Sequence, residues 1–407
     1  MTNARATGRH LLRIAPTVVL GGTLLILCLN TAAWADKKDK KAQSQSAATE
    51  IDVTKLVWPP PPDVARIRYV TTVIGEDSLN PQPQKKKSSW LDKMAGVSLP
   101  SDSGKPRTRG PYGAAGDSKG RIYVADTTTA AVFVFDLEQK KVTLIGNQRL
   151  QVPAGIAIDD ADRIFVVDSQ QGLVFVFRTD GTVEGTFGNG KFVRPVGVAI
   201  DNENRFAYVV DARGNRVAVF DADSYRFLRF VGKPKTVDQL APEVFDRPTN
   251  VAVDSEGNVY VTDTFNARVQ VFDADGQFLR TWGKPGTAAG CFMRPKGIAV
   301  DRDDHVYVVD SEFNNVQVFD TEGRMLMFFG DRGNTPGTFT LASGIGIEPQ
   351  NRVIVTEQWT GRVQIFRYVT DAEAKPEYEK AAAEEKKRLE EQLAREKATE
   401  DSAAKKN

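Results

Sequence analysis

The feature that most constrains this chain is a repeat. RPTNVAVDSEGNVYVTDTFNARVQVFDADGQFLRTWG from Arg247 and RPKGIAVDRDDHVYVVDSEFNNVQVFDTEGRMLMFFG from Arg294 are its clearest copies, and others begin near Pro111, Pro153, Pro195 and Ala342. Six copies spaced 42 to 53 residues apart require an architecture in which each unit buries its apolar faces against its neighbours. One unit reads as four short strands: Gly297 to Val300, the fully apolar Val306 to Val309, Val316 to Phe319 and Met325 to Phe329. Four antiparallel strands repeated six times with no helix between them predict an all-β, six-bladed β-propeller, with a solenoid as the other architecture.

The ends of the repeat favour the ring. The sixth copy stops after three strands, Gly344 to Ile347, Arg352 to Thr356 and Arg362 to Tyr368, while Ala65 to Gly75 upstream has the character of the missing fourth. The expectation is a last blade closed by this N-terminal strand, reached through a stiff lead-in at Trp58 and Pro59 to Pro62. The unit P-x-G-(I/V)-A-(V/I)-D, then (V/I)-x-V-x-D, then R-V-x-V-F-D and a closing Gly resembles the NHL repeat, over roughly residues 58 to 370. The resemblance implies a six-bladed NHL propeller of the kind found in secreted bacterial proteins. It says little about activity.

The flanks fit export. Arg5, Arg9 and Arg13 precede an apolar run from Ala15 to Leu29, followed by Ala33-Trp34-Ala35, which is the layout of a cleaved secretory signal. An uncleaved anchor is the alternative, because Pro16 to Ala35 is nearly long enough to span a bilayer. The predicted organisation is therefore a signal peptide at 1–35, a flexible linker at 36–57, the propeller at 58–370 and a charged helical tail at 371–407. Within the propeller, 58–75 is the closing strand, 76–110 an insertion with a helical stretch near Trp90 to Val97, and 111–370 the repeats. A periplasmic or secreted protein with no stable membrane insertion is expected.

Composition narrows function mainly by exclusion. The chain of 407 residues has 54 basic and 53 acidic side chains, and 37 and 38 of these fall within 58–370, so no nucleic-acid partner is expected. Some animal NHL relatives bind RNA, but that depends on a strongly basic face. Two Cys and two His leave only Cys291 and His305 after cleavage, which excludes a disulfide framework and any His-rich zinc site. Family resemblance also brings in peptidyl-hydroxyglycine lyases and lactone hydrolases. The first implies a His-rich zinc centre, which this chain lacks; the second implies acidic and amide ligands around a divalent ion in the channel. Neither a P-loop, a G-x-G-x-x-G nor a C-x-x-C-H is present, so no cofactor is expected. His305, in the turn Asp303-Asp304-His305, reads as a solvated turn residue, and Cys291 as a small loop residue with no base beside it.

Recurring residues read as structural. Gly113, Gly155, Gly197, Gly297 and Gly344 share one inner-strand position, with Asn250 in the fourth copy, where six strands converge on the axis. Asp126, Asp168, Asp211, Asp263 and Asp310, with Glu357, end each second strand. A ring of acids suits a cation, but recurrence in every blade favours capping of backbone N–H groups.

Residues present in only some blades are the candidate site. Arg194, Arg247 and Arg294 each precede the Pro that opens an inner strand, and Phe265, Phe313 and Trp359 sit in turns between second and third strands on the same face. Arg with aromatic residues is the composition of a recognition surface, set against local packing and ion pairing as the structural alternative. The functional expectation is a non-catalytic binding or scaffold propeller of the cell envelope that recognises a protein or peptide through this face. A metal-assisted hydrolase or lyase acting in the central channel is the alternative.

Overall fold

Alternation explains why the strands are almost uniformly apolar. In blade five Val306 and Val308 face the core shared with blade four, and Tyr307 and Val309 face the core shared with blade six. The second and third strands of each blade are thus buried on both faces and read as continuous runs, while the fourth strands alternate between core and solvent. Six such cores occupy the six interfaces between neighbouring sheets.

The computed structural model describes residues 51–80, 104–233, 238 and 240–404. Residues from Asp52 onward form one compact unit. The expected signal peptide, most of the linker and the helical stretch near Trp90 lie outside the described residues.

Five of the six sheets run from an inner strand outward in sequence order. The inner strands are Pro111–Gly116, Pro153–Ile158, Pro195–Asp201, Pro248–Val253, Pro295–Val300 and Ala342–Ile347. Each packs on the next, and Ala342–Ile347 packs on Pro111–Gly116, so the ring is complete. The sixth sheet takes its fourth strand from Ile67–Val73, which pairs antiparallel with Arg362–Tyr368; Val57–Trp58 adds a short fifth. Ile67 and Val73 are fully buried there.

Crowding at the axis sets the small residues. A Cβ on Gly344 would lie 1.8 Å from the Tyr112 carbonyl oxygen, and one on Gly113 2.5 Å from that of Ala154. Each inner strand carries a bulge just inside its first residue, as between Pro295 and Ile298. The bulge aims the residue after the Pro out of the regular alternation.

The tail forms the helix Asp371–Ala404. It is tied to the closing strand by the Arg68–Glu377 pair at 2.8 Å and by Arg66 to Asp371, and Val64, Val369 and Ala374 pack beneath its start. No helix of the described residues is long and apolar enough to cross a membrane.

Candidate functional site

The site face is built by the acids that end the second strands. All six are fully buried. Asp211 accepts from Arg194 N at 2.8 Å, Asp310 from Met293 N at 2.7 Å, Asp263 from Asp246 N at 2.7 Å and Glu357 from Thr340 N at 2.8 Å. The same carboxylates accept from the following turn: Asp168 from Gln170 N and Gln171 N, Asp310 from Glu312 N and Phe313 N. One buried carboxylate therefore staples the connection entering each blade to the turn between second and third strands. These two segments make up one face, called here the loop face.

Three candidate residues come together on it. The Arg247 guanidinium carbon is 5.1 Å from the Phe265 ring centre and that of Arg294 is 6.0 Å from it, so one ring serves two cations from adjacent blades. Phe265 is 56% exposed all the same. Arg247 is held in a left-handed conformation, φ 49°, where its N–H donates to Asn215 Oδ1 at 2.8 Å. Leu341 repeats this two blades on, with φ 53° and a 2.6 Å bond to Asn314 Oδ1. Non-glycine residues adopt this conformation at a cost, and here a neighbouring amide offsets it.

The other candidates diverge. Trp359 is 77% exposed on the blade-six turn. Phe313 turns to the rim, into a groove of about 430 Å³ with Leu56, Trp58 and Phe328. The reason is register: Phe265 and Trp359 stand two residues after their strand-ending acid, and Phe313 stands three after Asp310. Glu312 takes the outward position in that turn, and it is exposed.

Sequence reasoning did not single out the second residue of each inner strand. It is Tyr112, Ala154, Val196, Thr249, Lys296 or Ser343, next to the connection that enters the blade, and Ala154, Val196 and Ser343 are buried there, Val196 in the core between blades three and four. Burial pushes the Lys296 ammonium pKa down and Arg294 adds to the fall. The Tyr112 phenol is pushed up by burial, opposed by the charge of Arg194. Variation at x inside an otherwise repeated Pro-x-Gly was the available signal. Val193, Met293 and Leu341, in the connections entering the inner strands, add exposed apolar surface to the loop face.

The central channel is narrow, about 180 Å³, and walled by Gly, Ala, Val and Ile; Asn250 contributes a polar side chain, whose Oδ1 accepts from its own neighbour, Val251 N, at 3.0 Å. The opposite end opens into a depression of about 620 Å³ lined by Asp159, Asp201, Asp254, Asp301 and Glu348. Those acids are engaged in turns, as Asp159 is with Arg163 at 2.8 Å and Asp254 with Tyr260 at 2.7 Å. Among the described residues no three His, Cys, Asp or Glu side chains are grouped so as to hold a metal ion.

His305 is not the solvated residue its turn suggested. Its Nδ1 lies 3.0 Å from Asp301 Oδ2, its ring packs 5.3 Å from that of Tyr368, and its side chain is only 23% exposed. The Asp301 carboxylate raises its pKa against the opposing effect of burial. Cys291 is buried beside Phe292.

A family model described as a 6-bladed beta-propeller matches residues 150–240 and 244–312. Among solved structures, a protein of unknown function from Bacteroides thetaiotaomicron shares 17% identity over 64% of this chain and 70% of its own, with a TM-score of 0.53. A gluconolactonase from Xanthomonas campestris also shares 17% over 64% of this chain and 86% of its own, with a TM-score of 0.50. A virginiamycin B lyase from Staphylococcus aureus shares 13% over 64% and 96%, with a TM-score of 0.47. At these identities the likeness is one of fold. No curated protein matches the chain.

Proposed function

We propose that this is a binding propeller of the cell envelope, of NHL type, that holds an extended segment of a protein partner across its loop face. The observation that carries the reading is Phe265, left 56% exposed while held between Arg247 and Arg294. A ring kept at the surface between two fixed guanidiniums offers an apolar platform flanked by fork-shaped donors, the pairing that hot spots of recognition favour. Trp359, Val193, Met293 and Leu341 extend the apolar part of the same face. The strand-ending acids support a binding role over a catalytic one, because their oxygens are spent on backbone N–H groups that shape the face. The envelope location follows the basic, apolar and A-x-A layout of the first 35 residues.

A photo-reactive side chain tests the face directly. Trp359→benzoylphenylalanine should cross-link the partner in intact envelopes, and Arg324→benzoylphenylalanine, on an exposed turn at the opposite end, should not. Equal cross-linking from both positions would overturn the reading.

A further inference from the structure

We propose that the partner segment held on the loop face is acidic, with carboxylate side chains at alternate residues of an extended strand, one taken by Arg247 and the other by Arg294 around Phe265. This deepens the binding reading above and rests on it, by naming the chemistry of the segment.

The chain itself shows what a guanidinium stacked on a ring does with its N–H groups. Arg121 over Tyr123, 5.7 Å from the ring centre, holds Asp117 at 2.6 Å, and Arg163 over Phe165, at 5.4 Å, holds Asp159 at 2.8 Å. Arg66 over Tyr368 pairs with Asp371, and Arg216 over Phe230 with Asp211. Arg229 over Phe206 donates to the Ala274 carbonyl oxygen. In each case the ring covers the face of the cation and leaves the N–H fork at its edge, where an oxygen meets it.

Arg247 and Arg294 are stacked in the same way, at 5.1 and 6.0 Å from the centre of the Phe265 ring. Among the described residues, however, no carboxylate or carbonyl oxygen accepts from either guanidinium, and both side chains are exposed. The acids of the strand ends cannot serve them. Asp263 and Asp310 are fully buried and accept from the backbone N–H groups of Asp246 and Met293, both at 2.7 Å. Two like charges on one ring thus turn their forks to solvent, and bidentate pairing with carboxylate is the match for that geometry.

Spacing selects the kind of segment. The two arginines enter from adjacent blades on fixed backbone: the Arg247 N–H donates to Asn215 Oδ1 at 2.8 Å and the Arg294 N–H to Asp310 Oδ2 at 3.2 Å. In an extended peptide alternate side chains lie on one face about 6.7 Å apart, while adjacent ones point to opposite faces. Acids at alternate positions can therefore reach both cations beside the shared ring, and adjacent acids can reach only one.

The test is a fluorescence anisotropy titration of the purified chain, at low ionic strength, with labelled octapeptides amidated at the C-terminus. One peptide carries two glutamates separated by a valine, a second has the same residues with the glutamates adjacent, and a third has lysines in place of the glutamates. The first should bind at least about tenfold more tightly than the other two. It should lose that margin in the Arg247→Gln, Arg294→Gln double variant, which alters exposed side chains only and keeps its circular dichroism, and retain it in Arg324→Gln. No binding of the first peptide, equal binding of the first two, or an unchanged margin in the double variant would overturn the proposal. A chain that cross-links its partner from Trp359→benzoylphenylalanine but binds all three peptides alike contradicts the acidic motif alone. One that binds the first peptide through both arginines but cross-links equally from Arg324→benzoylphenylalanine contradicts the face reading.

Discussion

Arg247 and Phe265 are joined across the entry to blade four, the guanidinium carbon 5.1 Å from the ring centre, and Arg294 of the next blade approaches the same ring at 6.0 Å. The arrangement is maintained by local backbone: Asn215 accepts the Arg247 N–H, and Asp263 anchors the residue before it. Because the ring is exposed, Phe265→Ala should cost about 1 kcal/mol or less in urea unfolding. The same variant should lose most partner capture, so stability and binding separate at this position. A fall in stability matching the fall in capture would mean the ring is structural.

The strand-ending acids should behave in the opposite way. Asp168 accepts from Gln151, Gln170 and Gln171 N–H groups and from the Gln171 side chain. Removing it in Asp168→Ala strands these donors, and a loss of about 3 kcal/mol or more is expected by chemical denaturation. A loss below about 1 kcal/mol would show that water replaces the carboxylate freely.

Two glycines of different purpose give a paired prediction. Gly344→Ala puts a Cβ 1.8 Å from the Tyr112 carbonyl oxygen at the axis and should cost about 3 kcal/mol or more. Gly172, by contrast, has φ 65° and open space, and its counterparts Asn215 and Asn314 adopt φ 53° and 57°. Gly172→Asn should therefore stay within about 0.5 kcal/mol of the parent in thermal unfolding.

His305 predicts a pH signature. Its folded pKa is raised above the ordinary 6.5 by Asp301, with Asp303 adding to the rise and Arg66 opposing it. A raised folded value means the stabilisation is fully present below the unfolded pKa and is lost as pH climbs through the folded one. His305→Asn copies Asn258 of blade four, whose side chain bonds Asp254 at 2.9 Å without titrating. Melting temperatures of the parent should therefore fall relative to His305→Asn as pH rises from below 6.5 toward alkaline values. Parallel profiles would remove His305 from the account.

The closing strand predicts loss of cooperativity. A chain beginning after Gly75 lacks Ile67 and Val73, which are buried against Phe366, Val363 and Ile365 in the cores on either side of the sixth sheet. It should unfold in a broadened transition, followed by circular dichroism, where the parent unfolds in one.

What could be read from the sequence was whatever repeats. The four-strand unit, its Asp ends and its crowded glycines follow from periodicity and size, and so did the three-strand last copy. Single departures from the repeat were harder. Phe313 looked equivalent to Phe265, but a one-residue offset from its acid turns it to the rim. Lys296 and Tyr112 occupy a bulge, where strand alternation does not say which way a side chain points. The acids gathered in the depression at one end of the channel are offset in the net charge, so no sum over the sequence could reveal them. His305 drew its partner from four residues back, Asp301, and its cover from Tyr368 in the next blade.

The central claim is tested most directly by capture from an envelope extract, with the purified chain and an Arg247→Glu, Arg294→Glu variant immobilised side by side. The account predicts that the parent retains a defined partner and that the variant, still folded by circular dichroism, loses it by at least about tenfold. Equal retention of the same partner by both would contradict it.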